Sequence, residues 1–131
     1  MNNGESVSWR KLREFAGVDL TRSYILSWSV EGDTLCIELD LFLEPEHPFY
    51  EKPRPNEKVC IRPAVVEFPY CASIDTNIPG GGEELADAVA VLGLGGIEDL
   101  RRFHDGPYEV SGEFGRVRID AERPILRLRG P

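Results

Sequence analysis

The chain has 131 residues, 41% hydrophobic and 29% charged, and a net charge of −8. That length makes one domain and buries a core without disulfide or metal staples, and the composition excludes global disorder. Residues 31–87 carry 13 acidic against 4 basic side chains, which disfavours nucleic acid and anionic lipid as partners, because cations bind both.

No run approaches the length of a membrane span, and Met1 to Glu5 has neither the basic start nor the apolar stretch of a secretory signal. A cytoplasmic location is expected. Cys36, Cys60 and Cys71 are odd in number and form no CxxC pair, so reduced structural thiols are expected.

From Ser8 to Ala16, Trp9, Leu12, Phe15 and Ala16 share one helical face, with Ser8 as N-cap and Gly17 past the end. A short amphipathic helix is predicted. Between Ser23 and Leu43 the period changes to two: Tyr24, Leu26, Trp28 and Val30 alternate with small or polar residues, and so do Leu35, Ile37, Leu39, Leu41 and Leu43. A two-residue turn at Gly32-Asp33 would set Val30 against Leu35, Trp28 against Ile37, Leu26 against Leu39 and Tyr24 against Leu41. All the apolar side chains then face one way, whereas a three-residue loop would split them, so a type II′ hairpin is predicted.

The loop "EPEHPFYEKPRPNEK" (Glu44 to Lys58) follows, with four prolines, His47, Phe49 and Tyr50. Ordered loops of this length are uncommon and usually functional. The first reading is a rigid crossover that carries the chain between non-adjacent strands, with Phe49 or Tyr50 plugging the open end of the sheet; the second is a recognition surface. A flexible linker is disfavoured, since no second domain exists to be linked.

"VCIRPAVVEFPY" (Val59 to Tyr70) is β-rich, but Pro63 implies an edge strand or a bulge. A phase change at Pro63 would turn Val59 and Ile61, then Ala64, Val66 and Phe68, inward. Cys71 to Gly82 reads as loop. Glu83 to Gly96 is open between a short helix and a strand near Ala88 to Leu92, with helix preferred, and Gly96 to Gly106 reads as a second helix with Ile97, Leu100 and Phe103 on one side. The tail is a three-strand meander whose last turn, Ala121 to Pro124, would pair Val117 with Leu128 and Ile119 with Leu126. The opposite face would then carry Arg116, Arg118, Arg127 and Arg129. The expected core is Tyr24, Leu26, Trp28, Ile37, Leu39, Leu41, Val66, Phe68, Val117, Ile119, Leu126 and Leu128.

Several chemical motifs fail on inspection. "VAVLGLGGIEDL" (Val89 to Leu100) has the glycines of a strand-glycine-helix nucleotide motif, but Glu98 and Asp99 stand where pyrophosphate would bind. "PGGGEE" (Pro79 to Glu84) lacks the Lys-Ser/Thr of a phosphate loop. His47 and His104 have no ligand spacing, so no metal, cofactor or catalytic residue is assigned, and His104 is read as a helix C-terminal residue. No signature surrounds any cysteine. Glu38 and Asp40 share one strand face, a pattern that suits a solvated sheet better than an acid-base pair. Like charges opposed on a sheet destabilise it, so the four arginines require anions: Glu109, Glu113 and other internal acids first, an external acidic ligand or partner second.

The Trp-bearing N-terminal segment, the "SYILSW" strand, the long proline loop and the closing "YEVSGEFGRVRID" pair give the chain a layout that resembles small bacterial β-rich domains, some of them similar to toxin-immunity proteins. The resemblance implies a partner-binding role and no catalytic residues. The combined expectation is a single domain over residues 1–131. Its fold class is α+β, with about six mainly antiparallel strands in a sandwich or partly open barrel, a short N-terminal helix and one or two further short helices. Functionally it is expected to bind another protein without chemistry, using His47, Phe49, Tyr50 or the arginine face. The rival is a small-molecule or hydrolytic pocket under the 44–58 loop, with His47, Tyr50, Glu38 and Asp40 as its polar groups.

Overall fold

Gly32 and Asp33 join β2 (Val18–Glu31) to β3 (Thr34–Leu43) in a computed structural model that describes residues 5–53, 55–56, 58–76 and 85–129. Gly32 has φ of +64° and Asp33 has no positive φ, as a type II′ turn requires. The register next to the turn is the predicted one, Val30 opposite Leu35 and Trp28 opposite Ile37. Beyond it the register slips between Ile25 and Ser27, so that Ile25 faces Leu39 and Tyr24 faces Asp40. One extra residue in the strand changes its phase. Ile25 is therefore fully buried, while Tyr24 and Leu26, expected in the core, stand outside at 49% and 44% exposure.

A second irregularity lies between Asp19 and Tyr24, and short polar side chains satisfy its backbone. Asp19 Oδ1 accepts from the Thr21 N–H and hydroxyl, and the buried Ser23 hydroxyl donates to the Asp19 carbonyl while accepting from the Phe42 N–H.

The α+β expectation with several helices is overturned. Among the described residues the strands are β1 (Ser6–Ser8), β2, β3, β4 (Cys60–Phe68), β5 (Ser73–Thr76), β6 (Gly95–Phe103), β7 (Tyr108–Gly112), β8 (Gly115–Asp120) and β9 (Ile125–Leu128), and the one α-helix is α1 (Leu85–Ala90). All strand pairings are antiparallel, in the order β5-β8-β7-β6-β2-β3-β4-β9, with β1 added to β6. This open sheet curls on itself: Phe68 of β4 meets Tyr108 of β7 edge to face, with ring centroids 5.3 Å apart.

Each misread element has a physical cause. Ser8 does cap a turn, accepting from the Arg10 N–H, but Leu12 is extended at φ −92°, ψ 128°, leaving two 3-10 turns, Trp9–Lys11 and Arg13–Phe15. Burying Trp9 and Phe15 decides their geometry, since nine residues scarcely sustain a helix alone. The predicted helix of Gly96 to Gly106 is strand as far as Phe103, and the β6 register slips between Ile97 and Asp99, which turns both Ile97 and Leu100 inward. A bulged strand thus reproduces the i, i+3 spacing of a helix.

In the open 83–96 segment, helix holds at Leu85–Ala90 and the glycines lead into β6. The order is helix-glycine-strand, the reverse of a nucleotide motif. The "PGGGEE" stretch lies outside the described residues.

β4 is not an edge, and its phase does not change at Pro63: the register runs unbroken from Leu35 opposite Phe68 to Leu43 opposite Cys60, leaving Ile61 outward. The Pro63 carbonyl accepts from the Arg129 N–H, so its imide side also points toward the very end of β9, where a missing donor costs little.

The predicted meander holds for β7 and β8 but not for β9, which pairs with β4, Leu126 opposite Val66 and Leu128 opposite Ala64. The free side of β8 belongs to β5. Of the remaining expected core, Ile37, Leu39, Leu41, Val66, Phe68, Val117 and Ile119 are buried, and Trp28, Leu126 and Leu128 pack against them half-buried.

Candidate docking surface

The slip in β2 defines the most distinctive surface. Ile25 lies opposite Gly95 and Tyr24 opposite Gly96, and Leu94, the residue before β6, is 51% exposed. Tyr24, Leu26 and Leu94 are thus exposed large apolar side chains on β2 and just before β6. Large apolar side chains exposed together mark interaction surfaces. Acids lie beside this joint: Asp40 lies directly opposite Tyr24, and the Glu113 carboxylate accepts from the Gly96 N–H on the other side. Gly112 makes this joint possible, because a Cβ there would overlap the Gly96 carbonyl.

The proline loop is anchored rather than loose, but it is not a crossover between non-adjacent strands, because the β3 and β4 that it joins pair directly with each other. Glu44, His47 and Tyr50 N–H groups donate in succession to the carbonyls of Gly17, Glu44 and His47, and Arg62 pairs with Glu51 at 3.4 Å. Gly17 has φ of +78°, and a Cβ on it would lie 2.9 Å from His47 Cα, so the loop seats on a residue that must lack a side chain. Tyr50 packs against the core, whereas Phe49 is 64% exposed and touches the His47 ring at 5.8 Å between centroids. His47 Nδ1 accepts the Phe49 N–H at 3.0 Å, and burial pushes its pKa below 6.5. It is a neutral turn residue.

The four arginines are not brought together. β8 carries Arg116 and Arg118, while Arg127 lies on β9 and Arg129 just past its end. Arg116 pairs with Glu109 at 3.8 Å, Arg127 with Glu67 at 2.9 Å and Arg129 with Glu38 at 2.9 Å, and Arg118 lies over the Phe103 ring at 4.6 Å. The misassigned partner of β9 removes the continuous cationic face. Arg116 and Arg118 do line a shallow cleft of about 220 Å³, but Asp75 and Glu109 share it. Glu38, expected as a solvated acid, accepts from the Ser27 hydroxyl as well as pairing with Arg129.

Other reactive groups are quiet. All three cysteines are free and buried. Burial raises the Cys36 pKa and pushes that of Cys71 to about 11, so neither offers a thiolate. His104 is not a helix C-terminal residue but lies in the turn just after β6, its Nε2 3.4 Å from Glu5. Among the described residues no cluster of His, Cys, Asp and Glu could hold a metal, and no helix is long and apolar enough to cross a membrane.

Family models, curated proteins and solved structures give no match to this chain. The exposure of Tyr24 and Leu26 was hidden from sequence reasoning, because alternation places both residues inside and only pairing with β3 reveals the extra residue.

Proposed function

We propose that the protein is a non-enzymatic cytoplasmic binding domain, regulatory or immunity-like, that meets a basic protein through Tyr24, Leu26 and Leu94. The observation carrying this reading is the exposure of three large apolar side chains, each near half exposure, on β2 and just before β6, with Asp40 opposite Tyr24 and Glu113 bonded to Gly96. Apolar area supplies affinity, and the flanking carboxylates with the −8 charge select and steer a cationic partner. Buried, unreactive thiols and a neutral His47 engaged by its own backbone favour binding over chemistry.

Affinity capture with the wild-type domain and with a Leu26→Ser/Leu94→Ser variant tests this. The expected result is a basic protein retained by the wild type, released by salt and lost by the variant at unchanged melting temperature. Equal capture by both would remove this surface from the function.

A further inference from the structure

At the other end of the sheet, charge and burial run against the usual pattern. Val7, Arg102, Tyr108 and Ile119 are successive cross-strand partners on β1, β6, β7 and β8, so their side chains project from the same face. Tyr108 and Ile119 are buried there, which puts the Arg102 guanidinium on the core-facing side of the sheet. A charge in that row is tolerated only at an open mouth where water or an anion reaches it. The mouth exists: Lys11, Leu12, Arg13 and Glu14 of the N-terminal turns, with Arg123 before β9, enclose a cleft of about 250 Å³ over Arg102 and Tyr108.

Four cations therefore face one small volume with a single acid. Glu14 is held by Arg123 at 3.1 Å, and Arg123 also hydrogen-bonds the Tyr108 hydroxyl. Lys11, Arg13 and Arg102 have no acidic partner among the described residues, whereas Arg22, Arg62, Arg101, Arg116, Arg127 and Arg129 pair with acids and Arg10 and Arg118 lie over the Trp9 and Phe103 rings. With 23 acidic residues available, concentrating unpaired cations is a cost the fold does not need. Like charges lining one cleft repel, and an entering anion relieves that repulsion.

We propose that this cleft binds a compact oxyanion carrying two or more negative charges, phosphate-type or a short polycarboxylate, with Arg13, Arg102, Lys11 and the Tyr108 hydroxyl as its recognition groups. Pockets for ordinary drug-sized ligands run from about 300 to 1,000 Å³, so the volume suits a headgroup-sized ion better than a nucleotide. The Tyr108 ring is buried and has no ring face to offer a base. The site is independent of the Tyr24 surface.

Calorimetric titration and melting curves with pyrophosphate, citrate and chloride at matched ionic strength test the assignment. Saturable stabilisation by pyrophosphate, by citrate or by both is expected, and which anion acts separates the phosphate from the carboxylate source. Arg13→Gln and Arg102→Gln should each weaken binding by about tenfold or more, the loss typical of a charge-assisted hydrogen bond, without lowering the melting temperature of the free protein. Arg22→Gln, at a distant Asp19 pair, should bind as the wild type does. If Arg102→Gln fails to fold, Lys11→Gln reads the same loss. A response that tracks ionic strength alone, or one unchanged in Arg13→Gln and Lys11→Gln, would overturn the proposal.

Discussion

The ring of Tyr108 meets that of Phe68 edge to face at 5.3 Å, tying β7 to β4 across the curled sheet. The two strands are separated in sheet order by β6, β2 and β3, so this contact belongs to the closure of the sheet rather than to any hairpin. Phe68→Ala should cost about 3–5 kcal/mol, as deletion of a fully buried aromatic usually does. Urea unfolding followed by tryptophan fluorescence measures it. A loss below about 1 kcal/mol would mean that the two halves of the sheet close without this pair.

Phe49 and Tyr50 are neighbours with opposite roles. Tyr50→Ala should destabilise the fold by about 1–3 kcal/mol because it empties a place against the core. Phe49→Ala, at an exposed position, should stay within about 0.5 kcal/mol of the wild type. Equal effects of the two substitutions in urea unfolding would contradict the anchored-loop geometry.

His47 gives stability a pH dependence of known sign. Its folded pKa lies below 6.5 because burial disfavours the imidazolium, so the unfolded chain takes up the proton first. The contribution is complete above about pH 6.5 and is lost as pH falls through that value toward the folded pKa. The wild type should therefore lose more melting temperature than His47→Gln between about pH 7.5 and 5.5. Parallel profiles would show that neutral His47 carries none of the stability.

The cysteines should be silent in the native protein. Cys71, with a pKa near 11, and buried Cys36 and Cys60 should resist a thiol reagent at about pH 8 until the chain unfolds, when all three react. Rapid labelling of the native protein would place a thiol at the surface.

The hairpin was legible because local chemistry specifies it. Gly32 supplies the positive φ, and period two near the turn fixes which side chains share a face. The tail shows where that logic stops. Val117, Ile119, Leu126 and Leu128 alternate correctly, yet alternation names a face and not a partner, so β9 could satisfy its pattern on β4 as well as on β8. Four arginines that looked gathered were separated by that one choice.

Bulges account for the rest. Spacing of three between Ile97 and Leu100 belongs equally to a helix and to a strand with one extra residue, and Tyr24 and Leu26 keep their alternation while changing sides. By itself the sequence determined mainly antiparallel strands and the Gly32-Asp33 hairpin, because steric preference and polar-apolar period act over neighbouring residues. Only the tertiary structure decided which residues face outward at Tyr24 and Leu26, and that Lys11, Arg13, Arg102 and Arg123 share a cleft. Those outcomes depend on which distant strand offers its hydrogen bonds, and no local pattern carries that information.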